Sequence, residues 1–267
     1  MPRDLGDVLH FFLPTPADGV GTATGADEEG SDGELRRPAA LPILALPVGD
    51  RDVVRAAFAW NLAVEIARLG GSASLLAPVE PETSALWPEP GRGPMGSEVI
   101  LTRVDDLAGL TRAALDVAVN RAADSSDGGV VLVRVPPAWL RNPRDGRAAL
   151  RWTLLFATPD ARDLRGAYAL AKPLLRANPS TRIGVTIHGA RRVADATRAW
   201  ERVAGAASRH LGHSLVSYGL LVDDLHVYRA IVARRPIGLE HPQSPAARAL
   251  RDVARLVLED ARKIALA

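Results

Sequence analysis

Pro42-Ile43-Leu44-Ala45-Leu46-Pro47-Val48-Gly49-Asp50-Arg51-Asp52 is a near-continuous apolar run that breaks at a glycine and turns charged. An apolar run without alternation reads as a strand covered on both faces, the usual situation in a parallel sheet. From Asp52 to Leu69 the period changes: Val54, Phe58, Leu62, Glu65 and Ile66 mark helical faces, and Gly70-Gly71 end the helix. Outward from this unit the alternation continues. It predicts strands at Ser74–Ala77 and Val99–Thr102, separated by a Pro/Gly-rich loop through Gly96, and a helix over Asp105–Ala123. Strands at Val130–Val135 and Trp152–Ala157, a helix at Ala161–Ala177, a strand at Ile183–Ile187 and a helix at Arg192–Leu211 follow, then a strand at Leu215–Gly219 and two final helices. The expected class is α/β: a doubly wound, mostly parallel sheet with helices on both faces. No internal repeat of solenoid length is present.

Composition narrows the chemistry. The 267 residues include no cysteine, which removes disulfides, thiolate nucleophiles and cysteine metal sites. The longest apolar run, about 39–48, is half of what a membrane-spanning helix needs. Met1-Pro2-Arg3-Asp4 does not begin an export signal, so a cytoplasmic location is expected, with peripheral membrane attachment left open. Of 33 basic residues only Lys172 and Lys263 are lysine. Residues 1–40 hold 3 basic and 8 acidic side chains, leaving a mildly basic remainder.

The chain divides into three parts. Leu5, Val8, Leu9 and Phe12 fall at helical spacing within 4–13, and Pro14 ends that pattern, so 1–13 reads as a short helix serving as a docking peptide. Residues 14–40, rich in Gly, Pro, Ala and acid, read as a disordered linker. Residues 41–267 form the α/β domain.

Ala157-Thr158-Pro159-Asp160, then Asp163, Ala167-Tyr168-Ala169-Leu170 and Lys172, resemble the "TTPE…DAY…K" segment of MinD/ParA-type ATPases, particularly those of the FlhG type. The stretch Gly219 to Asp224, with Arg235-Pro236, Pro242 and Ser244-Pro245-Ala246-Ala247-Arg248, resembles the end of the same proteins. The resemblance implies a deviant P-loop, GKGGVGKT, between the first strand and a helix carrying "NLA", here Asn61-Leu62-Ala63. Counting back from that anchor, the phosphate lysine falls on Arg55, the magnesium-ligating hydroxyl on Ala56, the signature lysine on Asp50, and one loop glycine on Gly49. No shift of alignment restores a lysine, because residues 1–171 contain none. The magnesium-side aspartate falls on Arg134, the adenine-facing asparagine on His188, and the catalytic aspartate near Ala77, with Val79 in place of a second acid.

Phosphate cradles need small residues, a lysine and a hydroxyl. Their joint loss implies a pseudo-ATPase: a vestigial site at Gly49, Asp50, Arg55, Ala56, Arg134 and His188, no catalytic residue, and no cofactor or metal expected. Arg55 and Arg134 either pair with acids such as Asp50 or Asp52 or form a new anion pocket. The alternative is a functioning nucleotide switch that holds ATP and magnesium unconventionally. His210 and His213 lack a metal-ligand pattern, and Asp223-Asp224 read as a helix cap.

The last helix carries Leu250, Val253, Val257, Ala261 and Ile264 beside five basic residues; packing on the domain is expected, with an anionic membrane surface as the weaker alternative for that helix and non-specific DNA binding through dispersed arginines as another for the chain. The expected role is a catalytically inactive regulator or scaffold in a bacterial positioning or assembly system, flagellar, polar or at the division site. FlhG-type relatives engage a signal-recognition-type GTPase through an N-terminal helix, so Leu5, Val8, Leu9 and Phe12 are the expected partner contacts, with docking on the chain's own body as the alternative. Homodimerisation stays open, since the lysine that bridges family dimers is Asp50 here.

Overall fold

The apolar run at the start of the domain forms a central strand of an eight-stranded sheet. The computed structural model describes residues 3–9, 39–79, 84, 86–125 and 128–266. In chain order the elements are α1 (Gly6–Leu9), β1 (Ile43–Pro47), α2 (Val53–Arg68), β2 (Ser72–Pro78), β3 (Gly91–Arg92), β4 (Glu98–Thr102), α3 (Leu107–Asp124) and β5 (Gly129–Val135). After two 3-10 turns come β6 (Trp152–Ala157), α4 (Ala161–Ala177), β7 (Arg182–Ala190), α5 (Val193–Leu211), β8 (Val216–Val222), α6 (Leu225–Ala233), α7 (Ile237–Glu240) and α8 (Pro245–Leu266).

The strand order is β3-β4-β2-β5-β1-β6-β7-β8, parallel except for the antiparallel β3–β4 pair. β5 is buried along its whole length, and Val130 to Val133 have no exposed surface. Each such side chain contributes roughly 1.5–3 kcal/mol on burial. The crossover through α2 runs from β1 toward β2, whereas α3, α4 and α5 carry the chain the other way. Right-handed crossovers therefore place α2 on one face and the other three on the opposite face. α8 joins α2, packing on it and on β8. Leu250, Val253, Val257 and Ala261 are buried, which is the packed rather than the membrane-facing arrangement of that helix.

Several boundaries differ from the sequence reading. β3 forms inside the Pro/Gly-rich loop, where its two exposed residues carry no apolar signal. The end of the chain holds three helices instead of two, because Arg234 in the left-handed conformation (φ 52°) and Pro236 set off the four-residue α7. The helix expected over 4–13 is described only as α1, preceded by residues lying against β8. Phe12 and residues 10–38, which include most of the expected linker, lie outside the described residues. The backbone of Val8 and Leu9 belongs to α1, while their side chains lie outside the description.

Among the described residues no helix is long and apolar enough to cross a membrane. Asp224 caps α6 by accepting from the His226 amide at 2.9 Å, as its position before a helix predicts.

Candidate functional site

β1 and β6 are neighbours whose onward connections run in opposite directions, so their carboxyl ends flank the topological switch point. Ligands of doubly wound sheets bind in the crevice at that point. Here an ion pair spans it. Asp160 caps α4 by accepting from the amides of Arg162 (2.8 Å) and Asp163 (3.1 Å), which fixes Asp163 in the first turn. Arg55, in the first turn of α2, reaches across and donates from Nη2 to both Asp163 carboxylate oxygens, at 2.7 and 2.6 Å. Its Nη1 also lies 3.1 Å from Asp52 Oδ2. The arginine therefore pairs with Asp52, one of the two acids the sequence offered, and with Asp163, which the sequence places on another helix.

Burial pushes the Asp163 carboxyl up, but hydrogen bonds from Arg55 and from the Thr158 amide outweigh it and hold the group below the usual carboxylate range. Arg55 Nε donates to His188 Nε2 at 3.3 Å. That lone pair requires a neutral ring with its proton on Nδ1. His188 sits on β7, 5.3 Å from the Phe58 ring and 6.4 Å from the Phe156 ring between centroids. Burial, and after it the Arg55 charge, bring its pKa down to about 4.

The loop that would cradle phosphate is committed elsewhere. An anion cradle needs free backbone N–H groups converging on one point. The amide of Arg51 donates to Asp50 Oδ1 (3.0 Å), that of Asp52 to the Gly49 carbonyl (3.2 Å) and that of Val53 to the Arg51 carbonyl (3.0 Å). The Arg55 and Ala56 amides donate to the side chain and carbonyl of Asp52, each at 3.0 Å. Asp52 also sets its carboxylate at the N-terminus of α2, where a phosphate would otherwise gain from the helix dipole. Ala56 is buried beneath this turn and offers no hydroxyl.

Arg134, near the end of β5, is 1% exposed. Its Nη2 donates to the Pro78 carbonyl at 3.0 Å and its Nη1 lies 3.5 Å from the Val48 carbonyl, tying together the ends of β2 and β1. The guanidinium lies 4.7 Å from the centroid of a Trp87 ring, and the Trp87 indole donates to the Asp50 carbonyl at 2.9 Å. Trp87 thus closes over the arginine and pins the β1–α2 loop. Ala77 is buried in β2, and Val79 just beyond it is half exposed, so neither position supplies a carboxylate. Among the described residues no group of three or more His, Cys, Asp or Glu is placed to hold a metal ion.

Beyond the ion pair the crevice keeps about 500 Å³, lined by Asp52, Arg55, Thr158, His188, Asp223 and Tyr228 among others. Gly49, Asp50, Arg55, Ala56 and Arg134 thus lie at or just beyond the carboxyl ends of β1 and β5, and His188 lies near that of β7. The sequence did not single out Trp87 as the cover of Arg134. The one signal for it was a tryptophan inside an otherwise turn-forming stretch.

No protein family matches the chain by sequence, and no curated protein does. Solved structures match by shape. The MinD cell division protein of Aquifex aeolicus superposes with a TM-score of 0.59 at 14% identity, covering 82% of this chain and 97% of that one. The MinC:MinD cell division protein complex from the same organism gives 0.58 at 16% identity, over 82% and 96% of the two chains. A ParA family ATPase from Chlorobium tepidum gives 0.57 at 12% identity, over 80% and 98%. With an eight-stranded, mostly parallel sheet in the order described and a crevice at the β1/β6 switch point, the chain has the fold of the MinD/ParA-type P-loop ATPases.

Proposed function

We propose that this chain is a catalytically inactive, MinD/FlhG-like regulator or scaffold of a positioning or assembly system, acting through protein contact and not through nucleotide turnover. The observation that carries the reading is the Arg55–Asp163 pair spanning the switch point, beside a β1–α2 turn in which the amides of Arg51, Asp52, Val53, Arg55 and Ala56 already have acceptors within the chain. ATP binding would require Arg55 to leave two carboxylates and the loop to surrender its internal hydrogen bonds. It would also require magnesium to sit near the cationic Arg134 with no carboxylate at Ala77 or Val79.

A protein partner is in keeping with the neighbouring MinC:MinD complex. The candidate that the resemblance supplies is a signal-recognition-type GTPase meeting the N-terminal segment. A second reading is favoured by the space left in the crevice: Arg55 swings from Asp163 to a phosphate, and the chain works as a nucleotide switch.

Calorimetric titration with ATP and magnesium, repeated with ADP, separates the two. The expected result is no binding at millimolar nucleotide. Saturable binding that Arg55→Ala removes would establish the switch.

A further inference from the structure

The first described residues lie along the outer edge of the sheet. The Ser217 amide of β8 donates to the Arg3 carbonyl at 2.8 Å, and the Trp200 indole of α5 donates to the Asp4 carboxylate. Leu5 is 1% exposed and belongs to the hydrophobic core. Arg3 Nη2 donates to Asp260 Oδ1 at 3.1 Å, and its guanidinium carbon is 5.6 Å from the Tyr218 ring centroid. Asp260, itself 1% exposed, also accepts from Arg182 Nη2 (2.7 Å) and from the Tyr218 hydroxyl (2.6 Å).

Three features mark residues 3–5 as a seated ligand and not as a ninth strand. Among the described residues, the Ser217 bond is the one backbone hydrogen bond joining them to the sheet. Arg3 Nη1 is buried with no hydrogen-bond acceptor, a cost that weakens the hold on the segment. A groove of about 380 Å³ stays open beside the segment, lined by Asp4, Trp200, Glu201, Ser208 and Leu215 among others.

An unpaired sheet edge with a side-chain pocket is the usual acceptor for an added peptide: main-chain bonds hold it and pockets select it. We propose that the β8–α5 edge is a peptide-acceptor site whose tethered occupant here is the chain's own Arg3-Asp4-Leu5. A partner segment carrying a cation, and two residues later a leucine, displaces that occupant. Ser217 supplies the ladder bond, Asp260 selects the cation and the core accepts the leucine. This deepens the protein-contact reading above, yet the site lies at the amino ends of β7 and β8, away from the crevice. A positive nucleotide titration would leave it standing, and its own failure would leave the closed crevice standing.

The test uses the full chain carrying Arg3→Glu with Leu5→Asp, and a fluorescent peptide of residues 2–9 read by anisotropy. The peptide is expected to bind the unlatched chain saturably and at least about tenfold tighter than it binds the unaltered chain, whose edge is already occupied. The same peptide with Leu5→Ala is expected to bind about tenfold weaker or worse. Equal affinity for both chains, or no binding to a folded unlatched chain, overturns the proposal.

Should the double variant fail to fold, a protease recognition sequence inserted between Gly25 and Ala26 of the otherwise unaltered chain decides. After cleavage the segment should co-elute at high concentration and dissociate on dilution, leaving a folded body. Aggregation of the body, or a segment retained at every dilution, overturns the proposal.

Discussion

Arg55 and His188 share one hydrogen bond, and the burial of that histidine beside a cation makes the crevice sensitive to acid. Burial and Arg55 lower the His188 pKa from its ordinary value of 6.5 to about 4. The folded protein therefore stays neutral at His188 while the unfolded chain takes up a proton below pH 6.5. Stability from this group is complete above pH 6.5 and is lost as pH falls toward 4. The loss is at most about 3–4 kcal/mol at roughly 1.4 kcal/mol per pH unit. His188→Gln keeps an acceptor for Arg55 but does not titrate. Urea unfolding at pH 4.5 and 7 should show a smaller difference for the variant than for the unaltered chain, and an unchanged difference would mean that His188 is accessible.

At this scale the sequence was informative about residue types. The absence of lysine before position 172 and the arginine at 134 were both legible. Which acid would face Arg55 was not, because Asp163 is 108 residues away and only the packing of α4 against the switch point brings it near.

At the scale of elements, most of the strand–helix alternation follows from periodicity, and β6 and α4 fall where it predicts, at Trp152–Ala157 and Ala161–Ala177. The misses are short: β3 with two residues and α7 with four. Such pieces bury too little to leave a hydrophobic pattern, and their neighbours define them. The β7–β8 pairing carries a constraint that the pattern does not display. A Cβ at Gly184 would lie 2.3 Å from the Tyr218 ring, and that ring cannot retreat, since its hydroxyl is held by Asp260 and by the Trp152 indole. Gly184→Ala should therefore cost about 2–3 kcal/mol, as overpacking of a rigid core does. Thermal unfolding would register it as a lower Tm, and an unchanged Tm would mean that the two strands can part locally.

For the whole molecule, Asp260 joins distant parts of the chain. A carboxylate in α8 receives Arg3 from the N-terminal segment, Arg182 from the start of β7 and Tyr218 from β8. Removing one member of a buried charged network costs about 3–5 kcal/mol, because the remaining charges lose their partner. Asp260→Asn should thus lower stability by that order in denaturant unfolding. It should also speed hydrogen exchange at the Ser217 amide as Arg3 lets go. Faster exchange at Ser217 without the loss in stability would mean that the carboxylate serves only the segment and not the sheet.

The α/β class, most of the strand and helix positions, and the residue types at the switch point are properties of the sequence by itself, because they depend on local periodicity and on which side chains are present at all. Only the tertiary structure decided that Arg55 pairs with Asp163, that Trp87 covers Arg134, and that Arg3 to Leu5 lie on their own sheet edge. Each of those contacts joins residues far apart along the chain, and their geometry exists only once the sheet has closed the distance.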